Sequence, residues 1–545
     1  MCKMIWFSVI LGLILISGSP LKADSPSPPG ERIETSRSDA GRSNAIPNQI
    51  TTPLTLLWRT APPPVDQTPQ SASYAAGILY YAAGKTIYAA QASDGTTLWS
   101  YQGSAAFNAS TALSSDALYA GSDDANLYKI SLKDGSLIWK QPTSASIRSA
   151  PVIANGHVYF GTEDGHVYAL DPATGNTIWS FQAGAAVSTP VVIDQSGNVL
   201  FVAGDSKLYD LNGDTGRQQW QRLFSADPTD SPPACANNTL YIGAGQTLYA
   251  ISPHSGLILW QTQLAQGIGS PPTVGPDNVY VATDDSKIVC LNNQGAQIWS
   301  ADLGSRSTTP ALLAGKTLLV STRHGVLLAL SADTGALKWE YVVQSSLNVE
   351  ELPIYADNAL YALGSDGSLS AFQAQAKDQT GPEITDVLPK EGDTILGTNV
   401  SYAATVVDVG SGVSPSTVSL TLDGAPLSSA QYSADRNGIE VAPIGVSLTP
   451  LSNGQHTMVL KATDWKGNTT TKSWGFMVDS TGKTVSGPYR GTPTDNSNSP
   501  YPPPTDDAAE RMQERQQASQ IYRALMRQYK QNGSNGPSPP MPPSY

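Results

Sequence analysis

Eight tryptophans recur along the chain at nearly constant spacing: Trp58, Trp99, Trp139, Trp179, Trp220, Trp260, Trp299 and Trp339, with gaps of 41, 40, 40, 41, 40, 39 and 40 residues. A unit of about 40 residues carrying several short strands cannot bury its apolar face alone, so neighbouring copies must stack, and the architecture this period predicts is a β-propeller with one four-stranded blade per repeat. The stretch from Ala150 to Phe181 displays one blade. Residues 151–154 are a short apolar run, Asn155-Gly156 favours a type I′ hairpin turn, and residues 157–161 read as a second strand. Glu163-Asp164-Gly165 turns the chain into a third strand at 166–170. A further turn ending at Gly175 leads to a fourth at 176–181.

A glycine stands four residues before seven of the tryptophans: Gly95, Gly135, Gly175, Gly216, Gly256, Gly295 and Gly335. A turn that needs positive φ accounts for them without any appeal to function. Sets of three strands can be counted eight times between residues 71 and 373, but only seven are followed by the glycine turn and its tryptophan. The missing fourth strand is expected at the other end of the chain. Leu54-Thr55-Leu56-Leu57-Trp58-Arg59 has the strand and the tryptophan but no preceding glycine turn, as a strand that enters alone and completes the eighth blade should. Pairing the two ends in one blade removes a free sheet edge. The propeller is placed at residues 54–375.

The run Tyr168-Ala-Leu-Asp-Pro-Ala-Thr-Gly-Asn-Thr-Ile-Trp179 resembles the tryptophan-docking repeat of the eight-bladed quinoprotein (PQQ-like) propellers, and the pattern returns at residues 250–260 and 329–339. The resemblance implies that each tryptophan docks on the adjacent blade. It leaves two functional branches: quinone-dependent dehydrogenases, and non-catalytic scaffolds such as the propeller subunit of the outer-membrane assembly machinery. The dehydrogenase branch is expected to carry an adjacent Cys-Cys pair and a carboxylate and amide set around calcium. Here no two cysteines are adjacent and no inter-blade insertion is long enough for a substrate pocket, so catalysis is disfavoured. No catalytic, cofactor-binding or metal-ligating residue is assigned, and no cofactor is expected.

Residues 1–23, with an apolar run followed by small residues, read as a secretory signal, and 24–53 as a Pro- and Ser-rich linker. The expected location is the periplasm or the cell envelope, with no transmembrane span after cleavage. A net charge of −13 argues against a nucleic-acid partner. Cys235 and Cys290 sit in strand positions and read as small buried hydrophobes.

Residues 380–480 carry strands at about 399–407, 418–424, 457–462 and 473–478 and resemble bacterial immunoglobulin-like β-sandwich domains. Asp408 and Asp464 fall in glycine-rich turns, where carboxylates commonly form the turn itself; calcium ligation is the alternative. Residues 483–545 are a low-complexity tail, mostly disordered, with one helix at about 506–530. Repeat alignment points Asn108, Arg148, Asp230, Arg306 and Glu350 toward the mouth of the propeller channel, where variation on a repeating frame can encode specificity. The function expected is therefore an exported, non-enzymatic scaffold that binds protein partners. Glycan or cell-wall binding through the immunoglobulin-like domain is the alternative.

Overall fold

A computed structural model describes residues 32–33, 39–60, 69, 72–228, 231–343, 353–364, 366–396, 400, 402–427, 432–434, 438–441 and 451–480. The proposed signal sequence and the tail with its expected helix lie outside the described residues. Among the described residues no helix is long and apolar enough to cross a membrane.

Eight four-stranded antiparallel meanders form the blades. Blade 3 runs Val152–Ala154, His157–Gly161, His166–Leu170 and Thr177–Gln182. Its first hairpin turns through Asn155 at φ 52° and Gly156 at φ 75°, the pair of left-handed residues a type I′ turn requires. Blade 8 combines Ile354–Ala356, Ala359–Leu363 and Leu369–Gln373 with Thr55–Arg59 from the other end of the propeller, antiparallel with Thr55 opposite Gln373. The first strands of blades 8 and 1 lie side by side, so the ring is closed as the strand count predicts.

Tryptophan register repeats from blade to blade. Each indole stands opposite one third-strand residue, which is small in most blades: Ala89, Ala169, Ala250, Cys290, Ala329 and Ala371. The indole nitrogens of Trp99, Trp139, Trp179, Trp220, Trp260 and Trp299 then donate to a carbonyl in the third-to-fourth-strand turn of the next blade, as from Trp179 to Gly213 O at 2.7 Å and from Trp260 to Asn293 O at 2.8 Å, whereas the Trp58 nitrogen has no acceptor. The turn glycines lie under these rings. A Cβ on Gly216, at φ 69°, would stand 2.6 Å from Trp179, so both backbone conformation and contact demand glycine.

The eighth tryptophan departs from the rule that the resemblance implied. Blade 8 draws its fourth strand from the start of the propeller and so has no third-to-fourth-strand turn to receive Trp339. That indole, fully buried, instead donates to Ser411 O at 2.8 Å, in a loop of the second domain. Tyr341 Oη donates to Val409 O at 2.9 Å and Leu56 N to Gly410 O at 2.9 Å in the same loop. Lys466 Nζ adds a bond to Ala374 O at 2.7 Å. The Asp408–Val413 loop thereby replaces the absent turn and bolts the second domain to blades 7 and 8.

That domain is a two-sheet sandwich. One sheet contains Glu383–Leu388, Tyr402–Val407, Gly438–Val441 and Tyr432–Ser433, and the other Thr394–Leu396, Thr469–Asp479, Gly454–Thr463, Ser419–Leu422 and Ala425–Pro426. Alternation along the long hairpin sends Met458, Leu460, Ala462, Trp474, Phe476 and Val478 inward against Ile384, Tyr402, Ala404 and Val406.

Residues 39–50, within the span expected as a linker, are packed against the propeller. Main-chain carbonyls of this arm accept hydrogen bonds from the first strands of blades 4 to 7, and Ala45–Ile46 pairs in parallel with Leu312–Ala314 of blade 7.

Candidate functional site

In an antiparallel meander, strand direction alternates, so the turns after second strands and the loops after fourth strands emerge on one face. Asn108, Arg148 and Arg306 all lie in those inter-blade loops. Two of them converge: Asn108 Nδ2 donates to Asp123 Oδ2 at 2.6 Å, and Arg148 Nε donates to Asp123 Oδ1 at 3.0 Å. Asp123 belongs to the second-to-third-strand turn of blade 2 and so joins the loops that precede blades 2 and 3. Arg148 is half-exposed and its guanidinium is held above its ordinary value by Asp123. Arg306 makes a separate pair on the far side of the ring, 2.5 Å from Asp284. Asp230 and Glu350 lie outside the described residues.

The carboxylate that follows in these turns has a different task. Asp124 accepts from Tyr128 Oη at 2.5 Å, and Asp205 from Tyr209 Oη at 2.6 Å. Burial acts to raise these carboxyls, but the donors in the turn outweigh it and hold both below the usual range. In blades 2 and 6 one acid, Asp124 or Asp285, builds the turn while the residue before it, Asp123 or Asp284, faces the loops. The repeat alignment pointed to the loop bases but missed these acidic partners, whose signal was a carboxylate recurring one residue before the turn-building aspartate.

A Ser, His and Asp also meet on this face, with Ser144 Oγ 3.3 Å and Asp164 Oδ2 3.2 Å from His166. Both contacts fall on the same ring nitrogen, Nδ1. A proton relay needs the hydroxyl and the carboxylate on opposite nitrogens, so this is not nucleophile-activating geometry. Cys235 and Cys290 are buried free thiols in blades 5 and 6, each pushed up to about 12 chiefly by burial.

Among the described residues one acidic group has ligand-like spacing: Asp378, Asp408 and Asp464, with one oxygen from each within 4.8 Å of the others, at the junction of propeller and sandwich. Main-chain amides already serve them. Ser411 N donates to Asp378, Gly412 N to Asp408, and Lys466 N and Asn468 N to Asp464. Burial, and then the charges of Asp378 and Asp464, push the Asp408 carboxyl up to about 6.

A second buried acid went unnoticed in the sequence. Asp210 occupies the small-residue slot opposite Trp220, is fully buried, and neither carboxylate oxygen has a hydrogen-bond partner. Burial, with Asp194 nearby, pushes it up to about 7. Lys129 is the other exception in this slot, and it extends to Pro172 O at 2.9 Å.

Comparison with known proteins agrees with the architecture. The chain is 28% identical over 214 residues to the outer membrane protein assembly factor BamB of Nitrosomonas eutropha, covering 36% of this chain and 50% of that protein. It is 27% identical over 198 residues to the factor of the same name in Legionella pneumophila, covering 34% and 50%. The chain thus spans about half the length of the curated relatives it matches. Among solved structures, BamB from Moraxella catarrhalis superposes with a TM-score of 0.50 at 19% identity, over 60% of this chain and 99% of that one. The quinohemoprotein alcohol dehydrogenase from Comamonas testosteroni superposes with a TM-score of 0.54 at 15% identity, over 68% and 83%. Both likenesses speak to the fold. The family model described as outer membrane protein assembly factor BamB matches residues 83–247, 205–293 and 284–380, more than half of the chain, and the protein belongs to that family.

Proposed function

We propose that this chain is a non-enzymatic scaffold of the bacterial cell envelope, exported by residues 1–23, whose inter-blade loops hold a protein partner engaged in outer-membrane protein assembly. The observation that carries the reading is the Asn108–Asp123–Arg148 cluster, a charged and partly exposed set on the loop face of a propeller belonging to an assembly-factor family. Charge of both signs on a rigid frame favours selective docking of a protein over general attraction to a polyanion. A further feature supports it against the dehydrogenase branch: the two buried cysteines are free thiols in separate blades. The sandwich, bolted through Trp339, acts as a fixed bracket on blades 7 and 8.

Affinity capture from envelope extracts tests the proposal, with the wild-type chain compared with Arg148→Glu. A partner retained by the wild type and lost by the variant, at equal melting temperature, is the expected result. Equal recovery on both chains would remove the cluster from the interface. Dye-linked alcohol oxidation after reconstitution with quinone and calcium would overturn the non-enzymatic assignment.

A further inference from the structure

The arm formed by residues 39–46 follows an unusual path. Ala40, Gly41, Ser43 and Asn44 each present a carbonyl to one blade, accepting from Ile193 N at 2.9 Å, Cys235 N at 2.7 Å, Val274 N at 2.8 Å and Leu313 N at 2.9 Å. These four amides belong to the first strands of blades 4, 5, 6 and 7 or their edges, so the arm curves round the inside of the ring and feeds one acceptor to each blade in turn. Arg42 at φ 56° and Asn44 at φ 57° supply the curvature. Gly41 fits because a Cβ there would stand 2.2 Å from Cys235 O.

Arg42 is fully enclosed. It is 1% exposed, with Nε donating to Val191 O at 3.1 Å and Nη2 to Ala150 O at 3.2 Å, while Nη1 is buried with no partner. The hydrogen-bond acceptors of its guanidinium are main-chain carbonyls of blades 3 and 4, and the Asp39 carboxylate of the arm itself adds its charge.

We propose that the inner edges of blades 3 to 7 form a peptide-binding site that reads an arginine between glycine and small polar residues, and that Gly41-Arg42-Ser43-Asn44 occupies it in cis as a replaceable mimic of a segment from another polypeptide. The inference goes beyond the scaffold reading, because it uses main-chain groups of the channel and none of the loop-face side chains.

Three observations make the cis occupant replaceable. Arg42, at φ 56°, adopts a left-handed backbone conformation that L-residues other than Asn and Asp disfavour. One nitrogen of its buried guanidinium forgoes a hydrogen bond, which costs free energy that a better-fitted ligand would recover. A cleft of about 420 Å³ opens beside Asp39, Gly41, Ser43 and Ala45, so the arm is reached from outside and is not sealed in. What compensates the strained occupant is covalent attachment, since a tethered segment faces its site at high effective concentration. Cutting the tether removes that advantage and leaves the site open to competition.

The test uses the full chain with a protease recognition sequence inserted between Pro47 and Asn48, cleaved after folding so that Thr55–Arg59 still closes blade 8. A fluorescent peptide of residues 39–47 is added to intact and nicked protein, and anisotropy is followed. The nicked chain should bind it at least tenfold more tightly than the intact chain, and the Arg42→Ala peptide should bind the nicked chain at least tenfold more weakly. Circular dichroism of the nicked protein should be unchanged. Equal binding to intact and nicked chains, equal binding of the Arg42→Ala peptide, retention of the original arm with no exchange, or unfolding on release would each overturn the proposal. Loss of partner capture in Arg148→Glu would leave this result unchanged, so the two readings fail separately.

Discussion

Replacing Asp210 with alanine should stabilise this protein, although it removes a polar side chain from a natural sequence. The carboxyl is fully buried, lacks partners on both oxygens, and is pushed up to about 7 by burial and by Asp194. A folded-state pKa above the unfolded value means that the unfolded chain gives up the proton first as pH rises. Stability from this group is therefore intact below about 3.8 and is lost progressively as pH climbs through about 7. At about 1.4 kcal/mol for each pH unit between those values, the ceiling is about 4 kcal/mol; water penetration and relaxation bring the expected gain to about 2–3 kcal/mol at pH 8. Alanine is the right replacement because Ala169 and Ala250 fill the same slot opposite Trp179 and Trp260. Urea denaturation of wild type and Asp210→Ala at pH 4.5 and pH 8 measures the effect, with the variant's advantage confined largely to pH 8. An advantage equal at both pH values, or none at pH 8, would refute the account of a buried, uncompensated acid.

Other outcomes follow from the same geometry. Trp339→Ala should cost about 3–5 kcal/mol and expose the residues joining propeller and sandwich to limited proteolysis, since a buried indole and its bond to Ser411 O are both lost. Trp179→Phe should cost about 1 kcal/mol more than Trp58→Phe, because the Trp179 indole donates to Gly213 O while the buried Trp58 nitrogen has no acceptor; paired thermal melts would detect the difference. Gly216→Ala should cost about 2–4 kcal/mol, combining left-handed strain with a clash on Trp179. Gly156→Ala, at φ 75° with no atom within 4 Å, should cost only about 1–2 kcal/mol in the same denaturation assay. Arg148→Ala should leave melting within about 1 kcal/mol of wild type, as expected for an exposed ion pair, while weakening partner capture.

The blades were legible because their causes are local. Asn155-Gly156 specifies a type I′ turn by the φ angles those two residues tolerate, and the spacing of Gly175 before Trp179 follows from one turn and one short strand. Closure through Thr55–Arg59 was also legible, since a strand without its glycine turn must be completed elsewhere. The loop face was half legible: Asn108 and Arg148 occupy equivalent loop positions and Arg306 stands next to the corresponding Ser307, but their partners Asp123 and Asp284 resemble turn formers until the ring brings neighbouring blades together.

What the sequence determined by itself is the repeating unit and its count, because alternation and turn chemistry act between near neighbours and the tryptophan period repeats them along the chain. What only the tertiary structure decided is where unrepeated segments go. The arm at residues 39–46 carries no strand signal, and its path is set by inner-edge amides contributed by four blades. The eighth indole found its acceptor in Ser411, 72 residues away, because closing the ring consumed the turn that would have received it. Such contacts depend on which unsatisfied donors and acceptors remain after the blades assemble, and that balance exists only in three dimensions.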